Sequence, residues 1–215
     1  MKRRPTIGDW AIGAILSIWA VAILLPVYNV IVVSLSTEIG AIRARLPLWP
    51  RPFDFTSYKW VLLSGAIKYG FRNTLILLVV GVPYTMFLST SLAYSLAKKL
   101  PGMSVVSFLL IATLYFGGGL IPFYLVVRNL GLVNSIFSMI LPHGATVFYV
   151  IILRNFFQNV PPDIEESAFM DGASDIRIYA QIILPISTPI LVTIGLFVAV
   201  NYWNEWWHSL LFISE

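Results

Sequence analysis

The stretch "EESAFMDGASDIRIYAQIILP", residues 165–185, decides how this chain is read. It concentrates charge in a chain that is only 11% charged and 58% apolar, with a mean hydropathy of +0.84. Five of the ten acidic residues (Asp163, Glu165, Glu166, Asp171 and Asp175) fall between positions 163 and 175, with a strongly apolar run on either side. Soluble domains usually carry about 25% charged residues. The composition therefore predicts an all-α integral membrane protein in which this stretch is a loop exposed to water.

The local pattern predicts the loop's shape. Pro161-Pro162 ends the preceding segment, and Asp163 is placed to cap a new helix with Glu166 three residues on. Glu165 and Glu166 in the first turn suit the positive end of the helix dipole. Ile164, Ala168 and Phe169 give that helix an apolar side. Gly172 then breaks it in a left-handed turn. Ser174 caps a second helix, with Ile176, Tyr179, Ala180 and Ile183 on one face, and that helix runs into Leu184-Pro185. A solvated amphipathic connection would account for the charge alone. Two separately capped helices around a glycine, with Phe169 and Met170 beside the carboxylates, look instead like a knob for docking another protein.

Outward from the loop, a helix needs about 20 mostly apolar residues to cross the hydrocarbon core. Segments 11–35, 73–97, 104–127, 132–156 and 184–206 meet that length. Charges such as Arg128, Arg154 and Glu205 stay at their edges. Prolines 26, 83, 122 and 142 are tolerated where neighbours satisfy the freed carbonyls. Met1-Lys2-Arg3-Arg4 precedes the first run, which is too long for a signal h-region of about 7–15 residues and lacks a small-residue cleavage site. It is expected to stay as an anchor. The longest connection, 36–72, contains Pro47, Pro50 and Pro52, then a short surface helix capped by Thr56 and carrying Tyr58, Trp60 and Val61. With an inside N-terminus the Lys/Arg count is even across the two sides. The charges before the first span and the Lys98-Lys99 pair place residues 1–10 and the 161–183 loop in the cytoplasm.

No cysteine is present and there are only two histidines, His143 and His208, which argues against thiolate or zinc chemistry. A net charge of +4 does not point to nucleic acid.

The quoted stretch resembles the cytoplasmic signature of permease subunits of bacterial ABC importers. That signature reads Glu-Ala-Ala, three residues, Gly, nine residues, Ile, one residue, Leu-Pro. Here it stands as Glu166-Ser167-Ala168, Gly172, Ile182 and Leu184-Pro185, and Ser167 alone departs. "FDFTSYKWVL" (53–62) and "FRNTLIL" (71–77) resemble the MalG-like carbohydrate permeases. "FGGGLIPFYLVVRNLGLVNS" (116–135) is closest to their LplC/YtcP-like branch, which imports oligosaccharides or polysaccharide fragments. The resemblance implies a type I importer permease fold, with residues 11–215 forming the permease domain and 36–72 an outer loop. It makes the quoted segment the coupling helix, in which Glu166, Ser167, Ala168, Asp171, Gly172, Ile182, Leu184 and Pro185 meet an ATPase. It also implies the partners: a second permease subunit, two ATP-binding subunits holding ATP and Mg, and a periplasmic or lipid-anchored solute-binding protein, all around a chain embedded in lipid. The family's subunit normally has six spans. Five can be written here, and the expectation is either a truncated chain or a sixth segment not included in this sequence. The chain lacks a Walker-type loop, so it is expected to transmit ATP energy without hydrolysing ATP and to bind no cofactor itself.

Substrate-path candidates lie in "VNYWNEWWHSLLF" (200–212), where Asn201, Tyr202, Trp203 and Asn204 set aromatic faces beside amides, as a sugar requires. An aromatic belt at the membrane surface is the competing explanation. Tyr124 and Gly118 are further candidates. Gly117-Gly118-Gly119 serves either close helix packing or, with Pro122, an unwound segment. Phe116 and Tyr149 are candidates of the same kind, and Asn29 and His143 suit interhelical hydrogen bonds. Arg43, Arg45, Arg51 and Lys59 would suit an acidic saccharide such as an alginate or pectin fragment. An ion-coupled secondary transporter would carry ionisable groups inside its spans, and a membrane hydrolase would converge its acids on a substrate. Neither rival accounts for the spacing from Glu166 to Pro185, and a permease for a non-sugar solute is the nearer alternative.

Overall fold

A computed structural model describes residues 6–43, 48–50, 52–98 and 100–214. Arg45, Pro47, Arg51 and Lys99 lie outside the described residues, as does the side chain of Arg43. Contacts divide the chain into two units, Met1–Gly70 and Phe71–Glu215.

In the first unit, α1 (Ile7–Ser34) is a 28-residue helix, long and apolar enough to cross a membrane. Thr6 caps it: the Thr6 amide donates to Asp9 Oδ2 (2.7 Å) and the Asp9 amide to Thr6 Oγ1 (3.4 Å), a reciprocal capping box. Isoleucine, leucine, valine and tryptophan stay exposed all round α1, as befits a helix whose solvent is lipid. A short α2 (Glu38–Arg43) follows, then α3 (Thr56–Leu63). Thr56 does not cap α3 but is its first residue. The Asp54 carboxylate accepts both the Thr56 amide (3.1 Å) and its hydroxyl (2.8 Å), because a carboxylate two residues back reaches the free amides better. Tyr58 and Trp60 are exposed on α3 as expected.

The second unit starts within a 31-residue span-length helix, α4 (Ile67–Ala97), which contains a π-helical turn at Leu77–Gly81. Next come two shorter apolar helices, α5 (Met103–Tyr115) and α6 (Leu120–Asn129). The expected single span over 104–127 is thus two pieces. Phe116 to Gly119 is non-helical and Gly119 has φ +81°, favoured by glycine. The unwound alternative holds for the glycine triplet: a Cβ on Gly117 or Gly119 would meet nothing within 4 Å in this chain. The 132–156 segment is also divided, into α7 (Phe137–His143) and α8 (Val147–Gln158), bent by 44°. The chain then forms α9 (Pro162–Met170), α10 (Asp175–Ile186), α11 (Thr188–Trp203) and α12 (Trp207–Phe212). An 82° bend at Ser187 separates α10 from α11, with Pro185 and Pro189 on either side removing amide donors. By length and composition two helices can span a membrane, or up to four if each bent pair counts as one span. Three of the five segments expected to span are thus built from broken or bent helices.

The core of this unit lies where α4 packs on α8 and α11. Ala93, Val150, Leu153, Ile183, Ile194 and Val198 are fully or almost fully buried there. Gly144 lets α7 approach α4, since a Cβ there would stand 2.6 Å from Leu88 and Tyr84 side-chain atoms.

Candidate functional site

The acidic loop is built as two helices, with changes of register. α9 begins at Pro162, two residues earlier than a cap at Asp163 would place it. Pro161 is extended (ψ 129°) and no side chain caps the helix. Proline fits the first helical position because its φ is preset and its missing N–H would go unbonded anyway. Asp163 therefore sits inside the first turn with Glu165, and Glu166 follows them. At the other end the Gly172 amide donates to Phe169 O (2.9 Å) and the Ala173 amide to Ala168 O (3.0 Å). This is a Schellman closure, with Gly172 at φ +82° as expected. Ser174 Oγ accepts the Arg177 amide (3.4 Å), capping α10.

The predicted face of α10 is wrong by its register. Ile176 is 80% exposed and Ala180 is exposed, while Ile178 and Ile183 are buried. A π-helical turn over Tyr179–Ile183 sets the buried pair five positions apart, so a 3.6-residue count fails there. Ala168 is buried, whereas Glu166, Ser167, Asp171, Gly172 and Pro185 are exposed, and Ile182 and Leu184 are half-buried. Phe169 and Met170 are exposed beside the carboxylates. Glu165 forms an ion pair with Lys98 at the end of α4.

The other grouping is a cavity of about 310 Å³ enclosed by α4, α7, α8, α11 and the start of α12. Asn201 Nδ2 donates to Tyr149 Oη (2.6 Å), and Tyr202 Oη shares a hydrogen bond with Thr85 Oγ1 (3.0 Å). Gly81 makes room for the Tyr202 ring, since a Cβ there would lie 2.6 Å from it. Asn204, Glu205, Trp206, Trp207 and Thr146 complete much of the wall. Glu205 Oε1 accepts the His208 amide (2.9 Å) and lies 3.0 Å from His208 Nδ1. The His208 ring stands 4.4 Å from His143. Amides, hydroxyls, imidazoles and one carboxylate thus line a hollow beside two indoles. The volume is at the lower end of small-molecule pockets, roughly 300–1,000 Å³.

Three candidates stand elsewhere. Trp203 points away from the cavity and meets Phe71 edge-on at 6.2 Å, Tyr124 stacks on Phe212 at 5.9 Å, and Gly118 is in the unwound segment. His143 packs against aromatic rings rather than simply bridging helices. Thr85, Thr146 and His208 were missed. Only His208, three residues after Glu205, carried a local signal.

Loop and cavity share two helices. α4 carries Thr85 in the cavity and Lys98 at the loop, about 20 Å apart at 1.5 Å per residue. α8 carries Tyr149 in the cavity and Phe157 in a hollow that Glu165 also lines.

No family model matches the chain. It is 37% identical over its whole length to the polygalacturonan/rhamnogalacturonan transport system permease protein YtcP of Bacillus subtilis (strain 168), spanning 75% of that protein. It is 36% identical to protein LplC of the same organism, over 89% of this chain and 65% of LplC. It also superposes over its full length on 78% of a chain in a crystal structure of a bacterial ABC transporter involved in the import of the acidic polysaccharide alginate, with a TM-score of 0.88 and 30% identity. These relatives are transport subunits rather than enzymes, and the chain belongs to the carbohydrate ABC-transporter permease family.

Proposed function

We propose that the chain is the membrane-spanning subunit of an ATP-driven importer that carries oligosaccharides across the bacterial cytoplasmic membrane, acidic fragments of the pectin or alginate kind included. The names of its relatives support the acidic class. The observation that carries the reading is the shared pair of helices, α4 and α8, with a polar and aromatic cavity at one end and a charged two-helix loop at the other.

The cavity's chemistry suits a sugar. The faces of Trp206 and Trp207 stack on C–H surfaces, while Asn201, Asn204, Thr146 and Glu205 offer partners for hydroxyl groups. The loop's chemistry suits a protein groove. Glu166 is exposed to meet a basic residue of an ATPase, Ala168 packs the helix closely on the chain's own core, and Gly172 sets the turn. Residues 1–10 and 161–183 face the cytoplasm in this reading and 36–72 the outside. Residues 11–215 make five passages of the membrane, the broken ones included. A second permease subunit, two ATP-binding subunits and a solute-binding protein complete the transporter, and ATP with its Mg resides on the partners. When two ATPases close, the loop moves as a body and α4 and α8 carry that motion to the cavity.

The test is saccharide-stimulated ATP hydrolysis and uptake by the whole transporter in liposomes, with oligogalacturonate, oligoalginate and neutral malto-oligosaccharides compared. Asn201→Leu leaves the Tyr149 hydroxyl unpartnered, a loss of about 1–3 kcal/mol, and should cut stimulation roughly tenfold. Unchanged stimulation, or stimulation by no saccharide at all, would overturn the proposal.

A further inference from the structure

Three side chains on α4 reach the acidic loop, and none belongs to the Glu166–Pro185 signature. Thr90, Tyr94 and Lys98 recur at four-residue spacing, so they form a stripe on one face of the helix. Thr90 Oγ1 stands 2.7 Å from Tyr179 Oη. The Thr90 hydroxyl donates its hydrogen to Met86 O (2.7 Å), so Tyr179 is the donor in that bond. The Tyr94 ring lies between Tyr179 (5.1 Å) and Phe157 (6.0 Å). Lys98 pairs with Glu165 of α9, and its Nζ sits 5.5 Å from the centre of the Tyr94 ring. One stripe thus holds α9 through Glu165 and α10 through Tyr179.

The loop helices also pack on the core: Ala168, Ile178 and Ile183 are buried in the apolar cluster that holds Tyr94 and Leu96 of α4. Beside that packing a hollow of about 440 Å³ lies among Tyr94, Lys98, Phe157 and Glu165, and another of about 390 Å³ among Ser91, Tyr94, Lys98, Asp175 and Tyr179. The stripe's polar ties stand on the rims of these two hollows, where the packing ends. Among the described residues the charges facing Lys98 are Glu165, Asp175 across the second hollow, and Glu166, which lines a further hollow with all three.

We propose that Thr90, Tyr94 and Lys98 form a strap that fastens both helices of the acidic loop to α4, making them positioning residues for the transfer of motion from the loop to the cavity. The proposal rests on the coupling role given to the loop above. Glu166 holds the ATPase, and the strap makes the span follow. With the strap cut, the ATPase still binds and hydrolyses ATP, but the hollows absorb the movement and the cavity is no longer driven.

The experiment uses the complete transporter in liposomes with Lys98→Glu, Glu165→Lys and the double exchange. Retained ATPase subunit, basal ATP hydrolysis and saccharide imported per ATP are measured. Each single reversal should lower import per ATP about tenfold, within the usual range of a coupling free energy, with the ATPase still bound. The double exchange should restore at least half of it, and single reversals that keep the ATPase bound and basal hydrolysis intact separate lost coupling from a destabilised loop. Tyr179→Phe deletes one hydroxyl, keeps the ring, and should lower import per ATP about threefold. Import per ATP within twofold of the original in the single reversals, or no rescue in an intact double variant, would overturn the strap. Glu166→Arg separates the two ideas. If that variant binds the ATPase and couples normally, the docking reading fails, whatever the strap variants do.

Discussion

The two ends of α4 and α8 are tied by different chemistry. At the cavity, the ties among the described residues of α4, α8 and α11 are neutral, Asn201 to Tyr149 and Tyr202 with Thr85. At the loop, a lysine and a glutamate join α4 to α9. Within the membrane a charge is expensive and neutral hydrogen bonds fix geometry at lower cost. At the water-facing loop a charge pair is tolerated and reaches across a hollow that short neutral groups do not fill. On the proposed function, the difference separates a site that holds its shape from a joint that moves as a unit.

That contrast can be broken most forcefully at the cavity end. Gly81→Val puts side-chain carbon against a Tyr202 ring whose hydroxyl is already engaged by Thr85, so the ring has little freedom to yield. Overpacking of this kind costs about 1–3 kcal/mol. It should appear as a lower unfolding temperature in detergent, and an unchanged melt would remove the close contact from the argument. At the loop end, Ser174→Ala deletes the α10 cap, worth about 1 kcal/mol. Faster amide exchange at Asp175–Arg177 should report it, and unaltered exchange would show that the cap bond contributes nothing. The smallest effect is with pH. Burial alone would lower the Lys98 pKa, but the Glu165 carboxylate and the Tyr94 phenol oxygen more than offset it and raise it above the usual 10.5. A raised folded-state pKa gives stability that is fully present below the unfolded value and lost as pH rises through the folded one. Import per ATP should therefore stay flat from about pH 7 to 9 on account of this residue. A decline in that window that Lys98→Arg abolishes would contradict the ion pair.

What the sequence made legible were signals carried by near neighbours. Gly172 required a left-handed turn, Ser174 offered a cap, and the long apolar run over 11–35 could only be a helix. The misses came from two sources. The π turn over Tyr179–Ile183 keeps the composition of a helix while shifting the count within it, so Ala180 was assigned to the wrong face; Ile176 precedes that turn and is exposed because it lies nearly opposite the buried Ile178, two residues on. At Pro161-Pro162, Asp163 was credited with a cap that the preset dihedral of Pro162 made unnecessary. In the site, Asn201 was recognisable as polar within an apolar run, but its partner Tyr149 is 52 positions away, and Glu165 is 67 from Lys98. No local pattern encodes such pairs, because they depend on how the helices pack. Trp203 illustrates the converse: its neighbours in sequence reach the cavity, while its own side chain turns to Phe71.

The bend at Ser187 has a mechanical consequence. α10 and α11 are two arms meeting at 82°, and Ser187 at the corner is fully buried, so the corner is gripped by its surroundings. On the coupling role proposed for the loop, such a pair would work as a bell crank. A shove delivered along the first arm would emerge turned by nearly a right angle along the second, whose far end carries Asn201 and Tyr202.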